Sequence, residues 1–200
     1  MGFSNGEIVA MMAGASFAAG LNVYATVATL ALLGHYQVVD LPPALHALDN
    51  WWVIGACVAL FLVEFVADKI PLFDLVWNAL HTFVRVPVAA VLTYAATTSL
   101  SPGGQLASTL AASLIAFAAH SGKITARAAV TPSPEPVSNT LLSLAEDGVA
   151  IGTTWLATAY PYVALTIVIL GIVGLLLMVR MVIRAMKRLF AGAGRALGQS

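Results

Sequence analysis

YVALTIVILGIVGLLLMV, residues 162–179, contains no charged side chain and only one hydroxyl, Thr166, beyond its tyrosine. A helix needs ~20 such residues to cross a hydrocarbon core ~30 Å thick, so this stretch reads as a membrane span. The rest of the chain agrees with it. Of 200 residues, 60% are hydrophobic and 9% charged, against roughly 25% charged in a soluble domain. The expected fold is all-α, a polytopic membrane helix bundle.

Working back toward the N-terminus, apolar runs separated by breaker residues give about six transmembrane helices: 8–34, 51–68, 75–98, 106–130, 138–159 and 161–186. LPPALHALDN (41–50), SPGGQ (101–105) and TPSPEP (131–136) read as loops. Residues 1–186 form the expected bundle and 187–200 a basic cytoplasmic tail. Several helices are expected to be broken or kinked, at Gly20, Pro87 and Gly122. FAAGLN (17–22) and FAAHSG (117–122) begin alike, which suggests an inverted 3+3 repeat. No Lys or Arg precedes Lys69, and the apolar run from Ile8 to Leu33 is too long for a signal h-region, so the N-terminus is expected to be mature structure. MGFSNG lacks the Ser or Thr that myristoylation requires at position 6.

Lys and Arg favour cytoplasmic loops. With the N-terminus inside, Lys69 and Arg85 flank one inner loop, Lys123 and Arg127 the next, and Arg180, Arg184, Lys187, Arg188 and Arg195 occupy the tail. All the basic residues then share one side, with both termini cytoplasmic. Trp51, Trp52, Trp155, Tyr160 and Tyr162 fall at the opposite boundary, as an aromatic belt would. In the tail the basic residues share a helical face, which suits a surface on anionic headgroups.

LVEFVADKIPLFD (62–74) breaks the apolar pattern with Glu64, Asp68, Lys69 and Asp74. Glu64 and Asp68 lie one helical turn apart. Asp74, Asn78, His81 and Arg85 form a stripe on the next helix, His120, Lys123 and Arg127 one on the fourth, and Glu146 and Asp147 sit on the fifth. An ion facing lipid at the bilayer centre costs at least ~2.5–3.5 kcal/mol, so these groups should turn inward and pair. The candidate substrate- or ion-binding residues are Asn22, Glu64, Asp68, Asp74, His81, Arg85, His120, Lys123, Arg127, Glu146 and Asp147. Full pairing would equally serve helix packing alone. Asn22, Thr26 and Thr29 make a further polar stripe, its hydroxyls expected to bond back to the backbone. Small-residue spacings at Ala10/Gly14/Ala18 and Gly148/Gly152 predict close helix contacts.

Other chemistries find no support. Gly122-Lys123 is followed by Ile124, not the Ser or Thr of a phosphate loop. His35, His46, His81 and His120 have no zinc-site spacing, although His81 or His120 could hold a transient metal beside the carboxylates. Cys57 stands alone. Basic and acidic residues balance at nine each, with no nucleic-acid signature. No nucleophile with a base and an orienting group is visible. The protein is expected to be neither an enzyme nor a holder of a cofactor or resident metal.

AAGLNVYA (18–25), EFVADKIP (64–71), FVRVPVAAVL (83–92), HSGKITARA (120–128) and LSLAEDGVAI (142–151) together resemble the bacterial membrane proteins of the domain-of-unknown-function 4126 family. The E-x-x-A-D-K-x-P element and the Glu-Asp pair match, whereas Asn22 stands where relatives often carry Arg and Arg85-Val-Pro replaces a Gly-rich turn. The resemblance implies a bacterial inner-membrane protein and no particular activity. The expected function is a small permease for an ion or polar solute, with membrane lipids and that solute as partners and a homodimer as its assembly. Lipid-headgroup handling and a membrane scaffold are the alternatives.

Overall fold

The computed structural model describes residues 2–130 and 136–197, with side chains for 2–70, 76–127, 140–184 and 187. Asp74, Arg188 and Arg195 lie outside the described side chains. The described residues form helices and no strand: α1 (Asn5–Leu21), α2 (Val23–His35), a 3-10 turn (Pro43–Leu48), α3 (Trp51–Ala67), α4 (Pro71–Ala96), α5 (Pro102–Val130), α6 (Pro136–Ala159) and α7 (Pro161–Leu197). Each of α4 to α7 opens on a proline, whose missing N–H costs nothing in a first turn. Ser4 and Glu7 cap α1 reciprocally, and Asn50 caps α3 through the Trp52 N–H at 2.8 Å. Val76–Ala96 and Pro161–Arg184 are long and apolar enough to cross a membrane, with mean hydropathies of 1.3 and 2.8. α7 continues as one helix past residue 186.

α1 is the axis of the fold, packed by α4, α5, α6 and α7. From Ile8 to Leu21 only Val9 is not buried. Its small residues set the spacing. A Cβ placed on Gly14 would come within 2.6 Å of the Ala157 Cβ on α6, so the predicted Ala10/Gly14/Ala18 contact is present. The Gly148/Gly152 contact is not, because a Cβ at either meets nothing within 4 Å. Gly148→Ala should therefore leave stability unchanged or raise it by up to ~1 kcal/mol through helix propensity, while Gly14→Ala should lower it by ~1–3 kcal/mol through overpacking. Unfolding in detergent measures both.

The predicted breaks need correction. α5 runs through Gly122 without interruption, and α4 likewise continues through Pro87. Gly122 is glycine because Leu175 of α7 sits where a Cβ would be, 2.5 Å from it. Pro87 only leaves the Phe83 carbonyl without its helical donor, which a bundle tolerates. The break expected near Gly20-Leu21-Asn22 is present, with Gly20 itself in the last turn of α1. The chain breaks at Asn22, whose φ −149 and ψ 103 are extended. Its side chain then caps α2 by accepting the Ala25 N–H at 2.9 Å. With α5 unbroken, the likeness of FAAGLN to FAAHSG has no counterpart in the helix geometry.

Polarity is reversed relative to a soluble protein. Phe83 is 81% exposed and Leu114 69%, whereas Glu64 and Arg85 are 0% and Lys123 2% exposed. Exposed apolar surface on this scale calls for an apolar surrounding.

Candidate functional site

The break at Asn22 is buried at the centre of the bundle. Ending α1 there leaves its last carbonyls without helical N–H partners, and the partial negative charge of a helix C-terminus attracts cations. Two arrive. Arg85 Nη1 on α4 donates to the Gly20 carbonyl at 3.3 Å, and Lys123 Nζ on α5 donates to the Leu21 carbonyl at 3.1 Å. At the other side of the break, where α2 begins with its partial positive charge, Asn22 Nδ2 donates to Asp147 Oδ1 of α6 at 2.9 Å. Each half-helix end thus faces a group of opposite sign.

The cations carry the acids with them. Arg85 Nη2 pairs with Glu64 Oε1 of α3. Lys123 Nζ lies 3.4 Å from Glu64 Oε1, 3.2 Å from Asp68 Oδ2 and 3.4 Å from Glu146 Oε2. Arg127 completes the chain, donating to Asp68 Oδ2 at 2.7 Å, to Glu146 Oε2 at 2.6 Å and to the Asp68 carbonyl at 3.2 Å. Breaking one member of such a network strands its partner in low dielectric, which is far costlier than the intact network is favourable.

The hydrogen bonds fix the histidines. An Arg nitrogen only donates, so His120 Nδ1, 2.7 Å from Arg85 Nη1, accepts and carries no proton. His120 is then neutral, and its Nε2–H donates to Thr82 Oγ1 at 2.7 Å. His81 Nδ1 donates to the Trp77 carbonyl at 2.7 Å, and its Nε2 shares a hydrogen bond with the Tyr24 hydroxyl at 3.0 Å. Both rings are committed to protein partners. Among the described residues no group of three or more His, Cys, Asp or Glu could hold a metal.

Asn22, Glu64, Asp68, His81, Arg85, His120, Lys123, Arg127, Glu146 and Asp147 are therefore brought together around the break, and Asp74 lies outside the described side chains. Lys69 stands apart in the α3–α4 turn, donating to the Phe65 carbonyl at 2.7 Å with its ammonium over the Phe65 ring. Desolvation there lowers its pKa. Thr26 and Thr29 bond back to the backbone at 2.9 and 2.7 Å, as expected. Thr82 and Ser143 lie outside the expected set, and Tyr24 is expected only beside the Asn22 stripe. Tyr24 and Thr82 join through the histidines. Ser143 shares the buried face of α6 with Asp147, four residues on, a spacing readable in LSLAED (142–147).

The ionic count does not close. Three bases (Arg85, Lys123, Arg127) meet four acids (Glu64, Asp68, Glu146, Asp147), and Asp147 has no cation within ion-pair distance among the described residues. Glu64 Oε2, Glu146 Oε1, Asp147 Oδ2 and Ser143 Oγ are buried without a hydrogen-bond partner. Such groups are uncommon in a packed interior and call for a reason.

Residues 9–182 match the family model described as Domain of unknown function (DUF4126). No curated protein and no solved structure matches the chain.

Proposed function

Because the chain belongs to the DUF4126 family, whose description assigns no activity, we propose a function from its geometry: a small multi-pass membrane permease for an ion or small polar solute, coupled to protons through its buried carboxylates. The observation that carries this reading is the buried helix break with charged groups matched to both its ends. Half-helix termini exposing backbone groups at mid-membrane are the way many secondary transporters bind solutes.

In this reading α1 and α2 form one broken span and α3 to α7 the other five, in a bacterial inner membrane. Apolar side chains such as Phe83 and Leu114 face lipid, and exposed Trp51, Trp52, Trp155, Tyr160 and Tyr162 mark the outer boundary. Both termini are cytoplasmic. That orientation rests on fewer residues than a simple loop count suggests, because Arg85, Lys123 and Arg127 are consumed by the network. Lys69, Arg180, Arg184 and Lys187 carry it. The buried site corresponds to an occluded state, and passage requires the α1–α2 break to part from α5 or α6.

Purified protein in liposomes, with and without an imposed pH gradient, provides the test. Solute or ion flux that rises with the gradient is expected, falling at least ~10-fold in Lys123→Met while the variant still inserts. Flux indistinguishable from empty vesicles for every ion and solute class tried would overturn the proposal. One observation favours a second reading, a non-catalytic membrane scaffold: every base of the cluster is already paired and buried. That reading expects no flux at all. Lipid-headgroup handling draws less support, since Lys123 and Arg127 are turned onto Asp68 and Glu146 rather than outward.

A further inference from the structure

We infer that Asp147 is the group through which this site takes up and returns a proton, and that Asn22 ties that exchange to the helix break. The inference rests on the permease reading and names its coupling residue. Three observations converge on Asp147. It is the acid left over when Arg85, Lys123 and Arg127 have taken Glu64, Asp68 and Glu146. It is only 5% exposed, and its Oδ2 has no partner. Ser143, four residues earlier on α6 and 0% exposed, also has an unpartnered hydroxyl, although Thr154 and Thr158 on this helix bond back to the Ala150 and Trp155 carbonyls at 2.7 and 2.8 Å. Residues four apart on a helix are neighbours, with Cβ atoms ~5–6 Å apart. A carboxyl oxygen and a hydroxyl thus belong to residues one turn apart on the buried face of α6, each without a hydrogen-bond partner.

The exchange balances simply. A proton from the aqueous phase forms an O–H bond at Asp147 Oδ2, the negative charge of that carboxylate disappears, and nothing is oxidised or reduced. With a rotamer change the new O–H can reach Ser143 Oγ, a contact that is not made in this structure. Release returns the proton to water on the other side when the site opens there. Of the elements packed on α6, α1 carries only Glu7, bonded to Ser4, α2 only Tyr24, bonded to His81, and His35, bonded to Asp49, and α7, among its described side chains, only exposed Tyr162, Arg180, Arg184 and Lys187. On α3, Glu64 and Asp68 repel its charge. On α4, Arg85 is held by Glu64, and His81 lies within the Tyr24–Trp77 chain. On α5, Lys123 attracts it from beyond pairing distance, Arg127 is held by Asp68 and Glu146, and His120 is neutral. On α6, Glu146 is paired, and Lys69 in the turn acts only at long range.

Asn22 makes the proton felt at the break. Its Nδ2 holds Asp147 Oδ1 while its Oδ1 caps α2. A hydrogen bond to a carboxylate is about twice as strong as one to a neutral group. Protonation therefore loosens the tether that joins α6 to the start of α2.

Infrared titration of the full-length protein in liposomes, following the C=O stretch of protonated carboxyl groups, decides the matter. A reversible band is expected that Asp147→Asn removes and Asp40→Asn, at the exposed α2 to 3-10 connection, leaves in place. Asn22→Ser keeps a cap for α2 but cannot reach Asp147, and should move the band's midpoint by about one pH unit, tenfold in proton affinity. Should Asp147→Asn fail to fold, Ser143→Ala serves instead and should shift the band's frequency. A band that survives Asp147→Asn, or that ignores both Asn22→Ser and Ser143→Ala, overturns the inference. A titrating Asp147 without solute flux contradicts only the permease reading, whereas coupled flux with no Asp147 band contradicts only this inference.

Discussion

Arg85→Met should cost ~3–5 kcal/mol of stability, the usual price of stranding a buried partner charge. Arg85 is fully buried and holds three different groups: Glu64, His120 Nδ1 and the Gly20 carbonyl. Removing it leaves a carboxylate, an imidazole nitrogen and a helix-terminal carbonyl in the interior together. The expected measurement is a lower midpoint of chemical or thermal unfolding in detergent. Arg85→Met with Glu64→Leu should recover much of the loss, because replacing both members of a buried pair with apolar groups of similar volume is often neutral. Recovery will be incomplete, since Lys123 also uses Glu64 Oε1 at 3.4 Å. Equal loss in the single and double variants would show that the pair is not the source of the cost.

Gly20→Val should be comparably damaging for a steric reason. A Cβ at this position would lie 2.7 Å from the Ala119 Cβ and closer still to the Ala116 carbonyl oxygen. The obstacle on α5 is backbone, which cannot rotate away as a side chain can. α1 and α5 must separate, at or above the upper end of the ~1–3 kcal/mol that overpacking usually costs, and the carbonyl that Arg85 caps moves with them. Gly122→Val meets only the flexible end of Leu175 and should lose less. If the two variants melt together, close α1–α5 contact is not what requires a glycine at position 20.

The helices were legible because apolar runs alternate with Pro- and Gly-rich connections, and the run 8–34 reads as an interrupted segment, which the structure divides into α1 and α2. The cluster was legible for a different reason. In a chain with so few charges, those inside apolar runs have nowhere favourable to go except toward one another. What the sequence could not distinguish was the role of a glycine. Gly20 and Gly122 look like breaks, but each is a place where another helix comes close, and only the neighbour across the interface shows this. The break falls on Asn22 because an amide can replace the missing backbone acceptor and still donate to Asp147. Nor could a count of basic residues reveal that Arg85, Lys123 and Arg127 point into the bundle, which removes them from the charge bias of the loops. Ser143 stayed unnoticed because a serine in an apolar helix ordinarily bonds to its own backbone.

Cations from α4 and α5 meet the carboxylates of α3 and α6 at the buried break between α1 and α2. Solid-state NMR dephasing between lysine 15Nζ and Asp/Glu 13C-carboxyl labels, on protein in lipid bilayers, addresses it directly. Lys123 Nζ stands 3.2 Å from Asp68 Oδ2 and 3.4 Å from Glu146 Oε2, so strong dephasing of one lysine signal is predicted, absent from the Lys123→Met sample. Undiminished signals from every lysine, or dephasing that persists without Lys123, would contradict it.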